Sequence, residues 1–177
     1  MFLLVTGGSG SGKSEYAEQM VLRLGTTPRL YIATMYPFDE ECRQRIRRHR
    51  KMRAQKGFET LECYTGLKTA QTAGYGTVLL ECMSNLAANE FYQEGGAGEQ
   101  CAQEILEGVQ RIRSGCDHLI VVTNEIFSDG IEYEEETRQY QRTLGGINRK
   151  LASMADAVVE VVYSIPLIQK GNPEGVQ

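Results

Sequence analysis

Eight residues near the start of the chain, Gly7-Gly8-Ser9-Gly10-Ser11-Gly12-Lys13-Ser14, read G-x-x-x-x-G-K-S directly after the apolar run Phe2-Leu3-Leu4-Val5. In that setting a buried strand delivers the chain to a loop whose glycines let backbone N–H groups close around phosphate oxygens. Lys13 then reaches the terminal phosphates and the Ser14 hydroxyl is a ligand for Mg²⁺. The helix that follows turns the positive end of its dipole toward the same anion. Strand, loop and helix arrive in that order, so the segment implies a nucleoside triphosphate site rather than an incidental glycine-rich turn. A second apolar run, Val78-Leu79-Leu80, ends in Glu81-Cys82. Phosphate-loop enzymes place an acid at such a strand end to hold Mg²⁺, directly or through water. Glu81 is read as the partner of Ser14 on the metal; the plainer alternative is an acid that caps the next turn.

The other concentration of chemistry is Arg43–Arg53, where seven of the chain's 19 basic residues fall although the net charge is −4. As a helix this stretch puts Arg45, His49 and Arg53 at i, i+4 and i+8, on one face. Three readings stand: a solvated basic face, a nucleic-acid patch, or a phosphate-handling surface with a histidine in its middle. No aromatic residues interleave with the charges, as stacking on bases would require. On the third reading, a neutral imidazole among arginines is a nucleophile suited to a phosphorus centre. His118 opens an apolar strand and is expected at a strand edge rather than in catalysis. Thr123-Asn124-Glu125 leaves another buried strand, where it either caps local turns or meets a bound substrate. Gly145-Gly146, inside a helical pattern, implies close packing against a neighbour, another subunit included, or a kink.

These groups need a frame. At 177 residues the chain suits one α/β domain, here taken as residues 1–170, with 171–177 as a flexible tail. Apolar runs at Phe2–Thr6, Leu30–Ala33, Thr60–Cys63, Val78–Cys82, Leu119–Thr123 and Val158–Tyr163 are expected strands. They alternate with helical patterns at Ser14–Leu24, Glu40–Lys56, Asn85–Glu94, Gln100–Ser114 and Glu134–Ala155. Such alternation predicts a mostly parallel sheet with helices on both faces and ligands beyond the carboxyl ends of its strands. The acidic balance argues against general affinity for nucleic acid or anionic membrane. No apolar run approaches the roughly 20 residues of a membrane span, and the first residues lack the basic flank of a signal peptide. Five scattered cysteines without a C-x-x-C pair imply reduced, mostly core residues of a cytoplasmic protein.

Taken together these segments resemble the bifunctional adenosylcobinamide kinase / adenosylcobinamide-phosphate guanylyltransferase family of cobalamin biosynthesis, from Leu4-Val5-Thr6-Gly7-Gly8 to Ile165–Lys170. The resemblance rests on Gly12-Lys13-Ser14-x-x-Ala17-Glu18, Tyr31-Ile32-Ala33-Thr34, and Arg45-Ile46-x-x-His49-Arg50-x-x-Arg53. It also rests on Phe58-Glu59-Thr60-Leu61-Glu62, on Leu79-Leu80-Glu81-Cys82 with Ser84-Asn85-Leu86, on Thr123-Asn124-Glu125, and on Asn148-x-x-Leu151-Ala152-x-x-Ala155-Asp156. It implies a RecA-like phosphate-loop fold and two reactions. The first is phosphorylation of the aminopropanol hydroxyl of adenosylcobinamide by ATP or GTP. The second is transfer of GMP from GTP, through a covalent guanylyl-histidine, to the resulting phosphate.

Only His49 lies in the matching motif, so the nucleophile carries over to it, and Arg45, Arg50 and Arg53 become candidate phosphate contacts. Ile32, Ala33, Thr34 and Glu62 match positions that look like guanine-nucleotide contacts. The resemblance further implies a homotrimer with sites near subunit contacts. The chain departs from the family pattern in two places. Phe58 stands where many members have Trp, and Ile126-Phe127-Ser128-Asp129-Gly130-Ile131-Glu132-Tyr133 replaces a Val-Gly-x-Gly-Ile-Val-Pro loop one residue shorter. The rival functions are a single-activity guanylyltransferase and a RecA-like regulatory ATPase.

Overall fold

The computed structural model describes residues 1–128 and 130–173; residues 174–177 of the expected tail lie outside them. Among the described residues there are seven strands: β1 (Phe2–Thr6), β2 (Arg29–Ala33), β3 (Phe58–Glu62), β4 (Thr77–Glu81), β5 (His118–Val122), β6 (Ala157–Val162) and β7 (Ile165–Lys170). They make one sheet in the order β3-β2-β4-β5-β1-β6-β7, with the first six mutually parallel and β7 antiparallel to β6. Five helices cover it: α1 (Lys13–Leu24), α2 (Glu40–Arg53), α3 (Met83–Tyr92), α4 (Cys101–Gly115) and α5 (Glu135–Met154).

Alternation along each strand divides the core between the two faces. Leu3, Val5, Tyr31, Leu79, Ile120 and Val122 pack with Ala17, Met20 and Val21 of α1. Phe2, Leu4, Ile32, Leu80 and Val121 pack with Leu86 of α3, Ile105 and Val109 of α4, and Leu144 and Leu151 of α5. Burial on both sides explains why the strands are nearly continuous runs of Val, Ile and Leu. The five cysteines are free; three are buried and two half-buried.

The structure departs from the sequence-based expectation at the end of the sheet. β6 stops at Val162, Tyr163 and Ser164 take left-handed backbone angles (φ 50 and 64), and the chain returns as β7. A two-residue hairpin turn with positive φ at both central positions favours Asn and Gly there, and a Tyr-Ser pair gives no sign of it. The Nζ of Lys170 then donates to the carbonyls of Ala152, Ser153 and Ala155 at 3.0, 3.0 and 2.6 Å, closing the last turn of α5 from β7. α2 ends at Arg53, ahead of a left-handed Gly57. α5 runs unbroken through Gly145-Gly146, so no break in the helix accounts for those glycines. At the amino edge of the sheet His118 Nδ1 lies 3.3 Å from the Met1 amino group, away from the carboxyl ends where the loops gather.

Candidate functional site

The loop between β1 and α1 can form only with glycine at two of its positions. Gly7 has φ +155, and a Cβ there would lie 2.5 Å from the Val161 carbonyl oxygen and 2.6 Å from Ser11 Oγ. Gly12 has φ +91, and its Cβ would meet Ser164 Oγ at 2.6 Å. The loop is tied down from outside: Glu125 N–H donates to the Gly7 carbonyl at 3.0 Å and Ser164 N–H to the Ser11 carbonyl at 2.8 Å. Lys13 Nζ donates back to the Gly8 carbonyl at 2.9 Å; burial lowers its pKa below the ordinary lysine value. No side chain caps the first turn of α1, so its N–H groups are open to an anion. The buried Ser11 hydroxyl has no hydrogen-bond partner among the described residues.

Glu81 ends β4 opposite that loop. Its Oε1 accepts from the Ser14 hydroxyl and its Oε2 from the Tyr31 hydroxyl at 3.0 Å. Burial, and then the Glu81 charge, raise the Tyr31 phenol well above its ordinary value, so it stays a donor. Ser14 and Glu81 thus offer hard oxygen atoms side by side, a set suited to Mg²⁺, which takes few protein ligands and completes its shell with water and phosphate. No group of three or more His, Cys, Asp or Glu able to hold a metal occurs among the described residues.

α2 forms the facing wall. Asp39 caps it, Oδ1 accepting from Cys42 N–H at 2.7 Å. Its cations are largely spoken for by acids: Arg45 pairs with Glu41 at 2.7 Å, Arg47 with Glu40, and Arg50 with Glu62. Glu62 also accepts from the Tyr64 hydroxyl at 2.8 Å. Arg53 is different. It is 5 % exposed, its guanidinium sits 3.4 Å from the Tyr31 ring centroid, and its Nε has no partner among the described residues. The space enclosed between loop and helix is a cleft of about 590 Å³, lined by Ser9–Glu15 on one side and by Arg45, Arg48, His49, Arg50 and Arg53 on the other. Ala33, Glu62, Glu81 and Asn124 also reach it.

Two of the expected nucleotide contacts have side chains turned away from the cleft. Ile32 is fully buried in the core beneath α3–α5, because β2 turns its odd-numbered side chains toward the α1 face and its even-numbered ones away. Thr34 is buried too. Its hydroxyl donates to the Cys82 carbonyl at 2.8 Å and accepts from Cys82 N–H at 2.7 Å, so its side chain joins β2 to β4. Gly7 and Gly8 shape the loop without lining the cleft. The triplet after β5 divides: Thr123 bonds Asn148 at 2.8 Å, Glu125 accepts from Phe127 N–H at 2.8 Å and Ser128 Oγ at 2.9 Å, and only Asn124 faces the cleft. Sequence reasoning missed Tyr31, Arg48 and Asn85 as lining residues. Tyr31 had a usable signal, since period 2 places it on the same face as Ala33.

Comparison with known proteins gives the family and the fold. A model of the cobinamide kinase / cobinamide phosphate guanyltransferase family matches residues 3–168. The bifunctional adenosylcobalamin biosynthesis protein CobU of Salmonella typhimurium is 33% identical over 93% of this chain and 97% of its own length. The protein of that name from Escherichia coli is 31% identical with the same coverage, and CobP of Pseudomonas aeruginosa is 28% identical over 96% of this chain and 98% of its own. Among solved structures, flagellar accessory protein FlaH from Methanocaldococcus jannaschii superposes with TM-score 0.57 at 14% identity, covering 98% of this chain and 80% of that one. A KaiC-like protein from Pyrococcus horikoshii does so with TM-score 0.50 at 12% identity, covering 97% and 80%. At such identities the likeness shows the fold, a RecA-like phosphate-loop domain. The sequence match extends through phosphate loop, basic helix and final hairpin alike, and the chain belongs to the cobinamide kinase / cobinamide phosphate guanyltransferase family.

Proposed function

We propose that the protein phosphorylates the aminopropanol hydroxyl of adenosylcobinamide with ATP or GTP, then transfers GMP from GTP through His49 to that phosphate, giving adenosylcobinamide-GDP and pyrophosphate. The observation that carries this reading is that a single cleft is lined by both the phosphate loop and His49. In the first reaction the acceptor hydroxyl attacks the γ-phosphorus, and the bond to the β–γ bridging oxygen breaks. Lys13 and the open N–H groups of α1 hold the departing charge. In the second, an imidazole nitrogen of His49 attacks the α-phosphorus of GTP and pyrophosphate leaves. A phosphate oxygen of the acceptor then attacks the same phosphorus and the P–N bond breaks, restoring the histidine.

Arg45, Arg50 and Arg53 serve the phosphates, with the unpartnered Arg53 Nε an available donor. Ala33 and Glu62 serve the guanine. Ser14 and Glu81 hold Mg²⁺, which when bound neutralises charge on the phosphates. A cytoplasmic homotrimer belongs to the same reading. No helix among the described residues is long and apolar enough to cross a membrane. Tyr163, Ile165, Leu167 and Ile168 leave an exposed apolar edge on the hairpin whose turn rests on the phosphate loop, a surface another copy would cover.

The test is incubation with GTP labelled at the α-phosphate, followed by denaturing analysis of wild type and His49→Ala. An acid-labile label in wild type that is absent from the variant is the expected result. No label in wild type removes the transferase and leaves a regulatory ATPase as the better reading. Phosphorylation of cobinamide by His49→Ala with ATP is expected to persist; its absence from wild type as well would leave a single-activity transferase.

A further inference from the structure

α5 is longer than the sheet it covers. Its 20 residues span about 30 Å, against roughly 17 Å for the five residues of β5. Asn148 fixes the level at which the two meet, because its Oδ1 accepts from the hydroxyl of Thr123, just past the end of β5, at 2.8 Å. The helix before Asn148 therefore projects about 20 Å beyond the carboxyl edge of the sheet, on the side where the nucleotide cleft opens. Tyr140 OH, donating to the Ser84 carbonyl at 3.0 Å, and Gln141 Nε2, donating to the Ile126 carbonyl at 3.3 Å, hold that projecting half in place.

A second cavity of about 650 Å³ lies along this half, on the helix face that repeats at Arg138, Arg142, Gly145 and Arg149, with the Phe127 ring beside it. Glycine is among the poorest residues for a helix interior, and packing within the chain does not ask for it here. A Cβ on Gly146 would meet nothing within 4 Å, and one on Gly145 would make only ordinary contact with the Phe127 ring at 3.7 Å. What Gly145 provides is a floor without a side chain. The rim is rich in donors. Arg138 and Arg142 share the exposed Glu135 at 2.9 and 3.0 Å, while Arg149 is exposed and has no ion pair among the described residues. The groove and the cleft have no lining residue in common but are joined through neighbouring residues, Asn148 of the groove being bonded to Thr123. Asn124 lines the cleft, directly follows the Thr123 that holds Asn148, and donates to Ser84 Oγ at 2.7 Å.

We infer that this α5 groove binds the corrin macrocycle of the acceptor, its aminopropanol arm passing Asn124 into the cleft. The inference rests on the function proposed above. A corrin is a broad, largely hydrocarbon ring rimmed by carboxamides. The bare glycine floor and the Phe127 ring suit its faces, and the guanidinium donors of Arg138, Arg142 and Arg149 suit its amide oxygens. The phosphate-loop cleft, at about 590 Å³ and lined by the lysine and arginines that a triphosphate calls for, is left to the nucleotide.

The test is equilibrium binding of cobinamide to the full chain without nucleotide, followed by the corrin's visible absorbance, for wild type, Arg149→Ala and Gly145→Leu. Each substitution is expected to weaken binding by about tenfold or more. Formation of the guanylyl-His49 label from GTP, which involves no corrinoid, stays at the wild-type level. Arg149 is exposed, so its variant decides the matter if Gly145→Leu fails to fold. Dissociation constants within about twofold of wild type, or no cobinamide binding by wild type, overturn the inference. So does a changed oligomeric state with cobinamide binding intact, which would make the groove a contact between copies. Groove-dependent cobinamide binding by a protein that never takes the GTP label would uphold the groove and remove the transferase.

Discussion

The phosphate loop is fastened on every side by backbone, whereas α2, across the cleft, is held by its cap, its surface charges and one buried arginine. Val161, Ser164 and Glu125 close on the loop from three different segments, at contacts that leave no space for a Cβ at Gly7 or Gly12. Along α2 the only described side chain that is buried is Arg53, at its last position. Arg43, Arg45, Arg47 and Arg50 lie in solvent, paired with Glu40, Glu41 and Glu62, which are themselves exposed, and surface pairs of this kind hold little. The anion site is therefore set by main-chain geometry that any phosphate ester can use. The nucleophile rides on an element whose position depends on a few side chains. Substitutions on the two sides should then fail differently.

The largest effect is expected at Gly7→Ala. The added methyl would lie 2.5 Å from a backbone oxygen that cannot move without moving β6. Strain of about 1–3 kcal/mol at such a position, with the N–H groups displaced from the anion, predicts a loss of nucleotide affinity of roughly a hundredfold. Kinase turnover and GTP labelling should fall together. Gly10→Ala is the sharpening control. Its φ of +71 also disfavours a side chain, but nothing lies within 4 Å of the new Cβ, so titration with nucleotide should show a distinctly smaller loss. Equal losses at both positions would mean that left-handed backbone, not contact with β6, governs the loop.

On the other side, Arg53→Ala removes the one buried anchor of α2. A desolvated cation–π contact is worth about 2 kcal/mol, so labelling at His49 should fall by about tenfold or more while nucleotide affinity falls less. Tyr31→Phe separates the two regions further. It keeps the ring under Arg53 but removes the 3.0 Å bond to Glu81, so its effect should appear as a higher Mg²⁺ requirement rather than as lost labelling. If Arg53→Ala lowers nucleotide affinity as much as labelling, the contact of the arginine with the phosphates outweighs its anchoring of the helix.

The same contrast explains what could be read from the sequence. The loop was legible because binding phosphate with backbone demands glycine at fixed spacing, and β1 matched its expected bounds, Phe2–Thr6, to the residue. The parallel sheet was legible because strands buried on both faces must be runs of apolar residues. β7 was not: Ile165–Lys170 has every residue exposed, and its turn uses Tyr163 and Ser164 where glycine or asparagine would have announced it. In the site, the spacing of Arg45, His49 and Arg53 put them correctly on one wall, but the role of Arg53 was hidden. Its partner Tyr31 is 22 positions earlier, and only the packing of α2 on β2 brings them together. The inward direction of the Ile32 side chain was legible too, since alternation along β2 already sets it opposite Tyr31 and Ala33.

The smallest effect concerns how α2 begins. Asp39 accepts from the Cys42 N–H, and that bond holds its carboxyl below the ordinary value of 3.8. Glu40 is shifted the same way, chiefly by its bond to Arg47. A carboxylate whose folded pKa is depressed contributes stability that is complete above its unfolded pKa and lost as pH falls through the folded one. The first turn of α2 should therefore loosen below about pH 4. α1 has no side-chain cap and should show no matching change in its first turn. Hydrogen-exchange protection of the two helices, corrected for intrinsic rates at each pH, would measure this. Asp39→Asn, which can still cap but cannot titrate, should remove the Asp39 part of the pH dependence and keep most of the protection. Asp39→Ala should lower protection in α2 at every pH. If Asp39→Ala leaves α2 protected at neutral pH, the helix is held from Arg53 alone, and the contrast with the loop narrows to a single side chain.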